Sequence, residues 1–189
     1  GFSAGSVLSS VLIGVAMGNI ACGVPLDSRG EFLGTFWTLL RPYPLLLGVT
    51  TLALFMMHGA IYALLKTDGP LHDKLRRWTN RALLFFIVCY AATTAATLLG
   101  VPHMADRAWA SPWMFGIALV NMLAIANVPR EISRGRDMRA FLCSCLAMAA
   151  LMTLFGLETY PNLVFSNPNP ANSLTIHNSA SSPKTLSIM

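Results

Sequence analysis

Between Gly1 and Leu26 the chain carries no aspartate, glutamate, lysine or arginine. Four more uncharged stretches follow, at Leu45–Leu65, Ala82–Val101, Pro112–Val128 and Ala140–Leu157. A helix crosses the hydrocarbon core of a bilayer with about 20 apolar residues, and each stretch has that length or nearly so. Within hydrocarbon, a single segment satisfies its own backbone hydrogen bonds only as a helix. The pattern therefore predicts an all-α, polytopic transmembrane helical bundle. It is one membrane domain over residues 1–189, with spans at about 3–22, 45–65, 82–101, 112–128 and 140–157.

Composition agrees. Only 11% of the residues are charged and 54% are hydrophobic, whereas a soluble domain is about 25% charged. The mean hydropathy is +0.58. The net charge of +5 is gathered in short segments between apolar runs rather than on one exposed face, which argues against a nucleic-acid partner. The partner implied by composition is the lipid bilayer.

The placement of the charges orients the bundle. Residues 66–81 carry Lys66, Lys74, Arg76, Arg77 and Arg81 against Asp68 and Asp73, and residues 130–139 carry four arginines against Glu131 and Asp137. If each run crosses once, these two loops share a side. The connectors on the other side hold Arg29 and Arg41, then Arg107, then Lys184. Basic loops remain on the cytoplasmic side, so loops 66–81 and 130–139 are expected in the cytoplasm. The tail 158–184, rich in Asn, Pro and Ser, is expected outside as an extracytoplasmic loop.

Local signals refine the outline. Gly14 and Gly18 form GxxxG, a spacing that lets helices approach closely. Pro129 is expected to close the fourth span. In the first connector Phe36, Trp37 and Tyr43 suit the water–lipid boundary, as do Trp109 and Trp113 further on, and a short interfacial helix is expected near Glu31–Leu40. The chain opens on Gly1 already inside an apolar pattern, and its TLSIM ending reads as the start of another span. It is expected to be an internal segment of a longer protein, with no cleaved signal peptide.

Chemistry-bearing residues are few. Cys22, Cys89, Cys143 and Cys145 form no CxxC pair and read as buried free thiols, so no metal site is expected. His72, His103 and His177 fall outside the spans, as solvated or interfacial residues. His58 alone lies inside a span, in LFMMHGAIYALLKT at Leu54–Thr67. An ionisable residue at membrane depth normally has a partner or a task. Tyr62, one turn along, is its nearest sequence candidate for a hydrogen bond. The residues leave three roles open for His58: a polar packing group, a haem or metal ligand, or a proton or quinone contact. A bis-imidazole haem needs a second facing histidine, and none falls in another span. No acid stands at mid-span, since Asp27 and Glu158 lie at span ends, where each reads as an interfacial carboxylate. Asn19 and Asn121 read as interhelical hydrogen-bonders. Phosphate loops, catalytic triads and HExxH motifs are absent, and no catalytic residue is identified.

The order of local motifs goes further. GVAMGNIACGVPLD at Gly14–Asp27 precedes GEFLGTFWTLLRPYPLLLG at Gly30–Gly48. HGAIYALLKTDG follows at His58–Gly69, and YPNLVFS and SLTIHNSASSPKTLSIM stand at the far end. This series resembles subunit II of the cytochrome bd-type quinol oxidases of bacterial membranes, most strongly over Gly14–Gly69 and Ser173–Met189. The resemblance implies a bacterial inner-membrane respiratory complex that passes electrons from quinol to dioxygen. It implies a partner subunit I holding haem b and haem d, with this chain as its non-catalytic stabiliser and a possible structural quinone. No catalytic residue carries over. His58 and Tyr62 remain the candidate quinone or proton contact. The competing classes are a secondary transporter or permease, expected to have broken helices around a midplane site, and a b-type cytochrome with His58 as its ligand.

Overall fold

The computed structural model describes residues 1–181, 185 and 188. The TLSIM ending, apart from Thr185 and Ile188, and residues 182–184 of the tail lie outside the described residues. Six α-helices are described: α1 (Phe2–Cys22), α2 (Pro42–Leu65), α3 (Pro70–Gly100), α4 (Pro102–Ala110), α5 (Trp113–Ser133) and α6 (Asp137–Thr159). All but α4 are long and apolar enough to cross a membrane, so the chain is an all-α polytopic membrane bundle. A small antiparallel pair, β1 (Asn162–Val164) with β2 (Leu174–Thr175), shapes the tail.

The central helix is α2, which packs against α1, α3 and α6, while α5 packs mainly on α6. The main core joins Ala53, Met57, Ile61 and Leu64 of α2 to Phe86 of α3, Val128 and Ile132 of α5, and Ala140 and Ala147 of α6. Large apolar side chains such as Leu8, Leu84 and Leu123 face outward. Surfaces of that kind are stable in hydrocarbon, where helix association depends on close packing rather than on hiding apolar area.

That packing is tightest where the GxxxG spacing predicts it. A Cβ added at Gly14 would stand 2.7 Å from Gly48 Cα, and one at Gly18 would stand 2.5 Å from Pro44 Cα. Helices α1 and α2 therefore touch backbone to backbone. The same contact continues above them. Asn19 Nδ2 donates to Leu39 O at 2.8 Å, and Arg41 Nη2 donates to Gly23 O at 2.6 Å.

Several elements differ from the sequence reading. Helix α3 begins at Pro70, so Lys74, Arg76, Arg77 and Arg81 ride on helical turns rather than on a loop. Proline is favourable in a first turn, and no further glycine or proline interrupts the chain before Gly100. Pro129 does not close α5, which continues to Ser133. Proline removes one intrahelical bond, but the surrounding backbone groups are best satisfied by staying helical in an apolar bundle. The interfacial helix is shorter than expected, a 3-10 turn at Phe36–Leu39 with Phe36 and Trp37 exposed. Helix α4 is unanticipated: Val101, Met104 and Ala105 are buried at helical spacing, a signal too short to stand out beside full spans.

The tail folds back onto the end of α1. Val24 N donates to Phe165 O at 3.0 Å and Asn167 N donates to Val24 O at 3.1 Å. Asn172 Nδ2 adds a bond to Leu26 O at 2.9 Å. Gly23, with φ of 81°, makes the turn that permits this.

Candidate functional site

His58 and Tyr62 share α2, but the structure does not join them. His58 Nδ1 lies 2.9 Å from Ser144 Oγ on α6. That hydroxyl also lies 2.7 Å from Phe141 O. Nδ1 donates to Ser144 in one imidazole tautomer and accepts from it in the other. The imidazole also packs on Phe141, with ring centroids 5.1 Å apart. Tyr62 meets the same phenylalanine at 5.8 Å and has Lys66 Nζ 5.9 Å from its ring. It is 50% exposed. The histidine is thus a cross-link between α2 and α6 rather than half of a His–Tyr pair.

The large opening in the bundle lies elsewhere. A cavity of about 500 Å³ runs among α1, α2, α3, α5 and α6, and Met104 of α4 also reaches it. Neither His58 nor Tyr62 lines it. Its wall is mostly aliphatic and aromatic, with a stripe of hydroxyls along α2 and α3. Tyr43 OH and Thr97 Oγ1 are 2.8 Å apart, and Thr50 Oγ1 and Thr93 Oγ1 are 2.7 Å apart. Tyr90, on the same wall, accepts from Asn121 Nδ2 at 2.9 Å. Tyr43, in the first turn of α2, turns its ring toward α3, where its hydroxyl meets Thr97.

Glu158 closes the tail end of the cavity and also lines a second, smaller one of about 100 Å³ with Ile20, His103, Arg107, Asn162 and Phe165. His103 stacks on Phe165 with centroids 4.0 Å apart and planes 14° from parallel. Burial pushes this histidine below its ordinary value, and Arg107 works in the same direction. A backbone hydrogen bond at Ala21 and the charge of Asp106 oppose the shift. His103 is therefore packed against the tail rather than simply solvated. Its role could not be read from sequence, because Phe165 lies 62 positions away.

At the opposite, basic end, His72 Nε2 meets Asp137 Oδ2 at 2.9 Å, tying the start of α3 to the start of α6. His72, expected in a loop as a solvated or interfacial residue, stands on the first turn of α3. Glu131 is 5% exposed and stands 3.9 Å from both Arg134 and Arg136. Asn121 is fully buried and bridges α5 to α3, as expected of an interhelical hydrogen-bonder.

Among the described residues no histidine lines the large cavity. The imidazole at membrane depth is pinned by Ser144 and packed on Phe141, away from that space. Among the described residues no three His, Cys, Asp or Glu side chains cluster as a metal site. The four cysteines are unpaired. An apolar chamber with a hydroxyl stripe and a carboxyl at one end is suited to a long amphiphile with a polar head.

Comparison with known proteins agrees with the motif order. The sequence matches the family described as cytochrome bd terminal oxidase subunit II over residues 1–189. It is 26% identical to cytochrome bd-I ubiquinol oxidase subunit 2 of Escherichia coli K12, over 100% of this chain and 58% of that protein. A probable cytochrome oxidase subunit 2 of Haemophilus influenzae is 27% identical, over 100% of this chain and 58% of the relative. Cytochrome bd ubiquinol oxidase subunit 2 of Bacillus subtilis is 22% identical, over 98% and 54%. The chain thus spans a little over half the length of these curated relatives. It belongs to the cytochrome bd terminal oxidase subunit II family.

Proposed function

We propose that this chain acts as subunit II of a bacterial cytochrome bd-type respiratory complex, which oxidises quinol and reduces dioxygen to water. The observation that carries the reading is the family match along the whole of residues 1–189. In this reading the chain is a non-catalytic membrane partner, and its task is to stabilise the haem-bearing subunit I. Haem b and haem d belong to that partner. Support comes from the absence of a ligand-competent histidine in the cavity wall and from the apolar outer faces of the helices.

The chain sits in the inner membrane with residues 66–81 and 130–139 on the cytoplasmic side and 158–184 outside. The gathering of basic residues at one end supports this orientation. The 500 Å³ cavity is the place for a structural quinone. Its hydroxyl stripe would orient the head, and its aliphatic wall would hold the isoprenoid tail. His58, bonded to Ser144, stiffens the α2–α6 contact. Its Nε2 and Tyr62 are the remaining candidates for a proton or quinone contact on the outer face.

The test is purification of the complete subunit with its partner from membranes. A haem-containing complex with quinol-dependent oxygen uptake is expected, together with loss of the haem bands when this subunit is deleted. Isolation of the subunit with no haem-bearing partner would overturn the reading.

A further inference from the structure

Glu158 lines both cavities at once. On one side it faces the large apolar cavity, near Tyr43 and the hydroxyl stripe. On the other it faces the small polar chamber of His103, Arg107 and Asn162 beneath the tail. No other acidic residue lines either space. Its carboxyl forms no ion pair within 4 Å among the described residues, although Arg107 shares the chamber.

We propose that Glu158 is a proton-exchanging carboxyl joining the large cavity to water at the tail end of the bundle, and that it hydrogen-bonds the polar head of the cavity's occupant.

The physical argument concerns what each side tolerates. Hydrocarbon accepts a carboxyl in its neutral, donating form, because an unpaired anion there is costly. The polar chamber offers an imidazole, a guanidinium and an amide, which accept or stabilise the released proton and the anion. A group bordering both can pick up a proton on one side and release it on the other, the usual task of an ionisable residue at a membrane passage. The packed elements supply the titratable groups around this residue: Tyr43 of α2 in the large cavity, and His103 and Arg107 of α4 in the small one, with Cys22 of α1 acting on Tyr43 and the exposed Asp106 of α4 acting on His103. Tyr43 lines the same large cavity as Glu158. A neutral Glu158 at this end of the cavity would donate to a carbonyl on the occupant's head, while the Tyr43 hydroxyl is held by Thr97. The occupant is accordingly an amphiphile with a carbonyl-bearing head. This second half rests on the quinone reading above, while the proton-exchange half does not.

The experiment uses the assembled complex and two carbodiimides, the apolar dicyclohexylcarbodiimide and a water-soluble one, with labelled carboxyls located by peptide mass spectrometry. The apolar reagent is expected to modify Glu158 and the water-soluble reagent to spare it, while exposed Glu31 and Asp106 show the reverse. Glu158→Gln serves as the control for the labelled peptide. A short-chain quinone added in excess is expected to slow labelling of Glu158 several-fold. Equal labelling by both reagents, or none by the apolar one between pH 5 and 9 (about two units either side of neutrality), would overturn the proton-exchange role. Labelling unaffected by quinone, in a complex whose extract contains quinone, would overturn the head contact. A complex whose extract contains no quinone would instead count against the quinone reading, and the labelling would still decide the proton-exchange role.

Discussion

His58 Nδ1 stands 2.9 Å from Ser144 Oγ, and this bond joins the central helix α2 to α6 across 86 positions of sequence. Removing the hydroxyl with Ser144→Ala takes the partner from a half-buried imidazole, at a cost of about 1 kcal/mol. Thermal unfolding of the detergent-solubilised complex should fall accordingly, with the haem spectrum unchanged. Replacing both residues at once, as His58→Phe with Ser144→Ala, should cost less than the sum of the single changes, because no polar group is then left unpaired. An altered haem band in His58→Phe would instead point to ligation.

Backbone contact between α1 and α2 makes Gly14 and Gly18 intolerant of side chains. Gly14→Val and Gly18→Val should each destabilise the bundle by roughly 1–3 kcal/mol or more, read as loss of the folded subunit from membranes. Gly59 lies on the same α2 with nothing within 4 Å of its added Cβ. Gly59→Ala should be accepted without loss, and its failure would show that the clash is not the operative effect.

Tyr90 and Asn121 are coupled within the bundle. Tyr90→Phe leaves the fully buried Asn121 amide without its acceptor, again at a cost of about 1–3 kcal/mol. Combining it with Asn121→Leu should recover most of that loss, measurable as a double-mutant cycle in thermal stability.

His103 ties α4 to the tail in its neutral form. Burial, with Arg107 acting the same way, places its folded pKa below the ordinary histidine value of about 6.5. In the open state the histidine then binds its proton first, so the open state is favoured as pH falls. The contribution of His103 to closure is complete above the ordinary value and is lost as pH drops below it toward the folded pKa. Hydrogen exchange in residues 101–110 and 160–167 should therefore quicken between pH 8 and pH 5, beyond the intrinsic trend. In His103→Phe, which keeps the stack on Phe165, that excess should disappear.

Much of this molecule was legible in its order of residues. Uncharged runs of bilayer length required helices, because a backbone in hydrocarbon has no other partner than itself. The spacing of Gly14 and Gly18 marked the closest helix contact before the partner helix was known. The motif series pointed to the family that the whole-chain match then showed. Helix limits were less legible: α3 starts early at Pro70, where proline suits a first turn, and α5 runs past Pro129, where a breaking signal yields to the need to satisfy backbone groups in an apolar bundle.

The candidate site was another matter. Intramembrane histidine drew attention to His58 and Tyr62, yet the cavity lies against Tyr43, Thr50, Thr97 and Glu158 instead. Sequence by itself determined the class, the number of visible crossings and the family, since those follow from hydropathy and motif order along one chain. Only the tertiary structure decided that Glu158 borders two cavities and that His58 pairs with Ser144. Those relations depend on which helix faces which, a matter of side-chain packing between segments far apart in the chain.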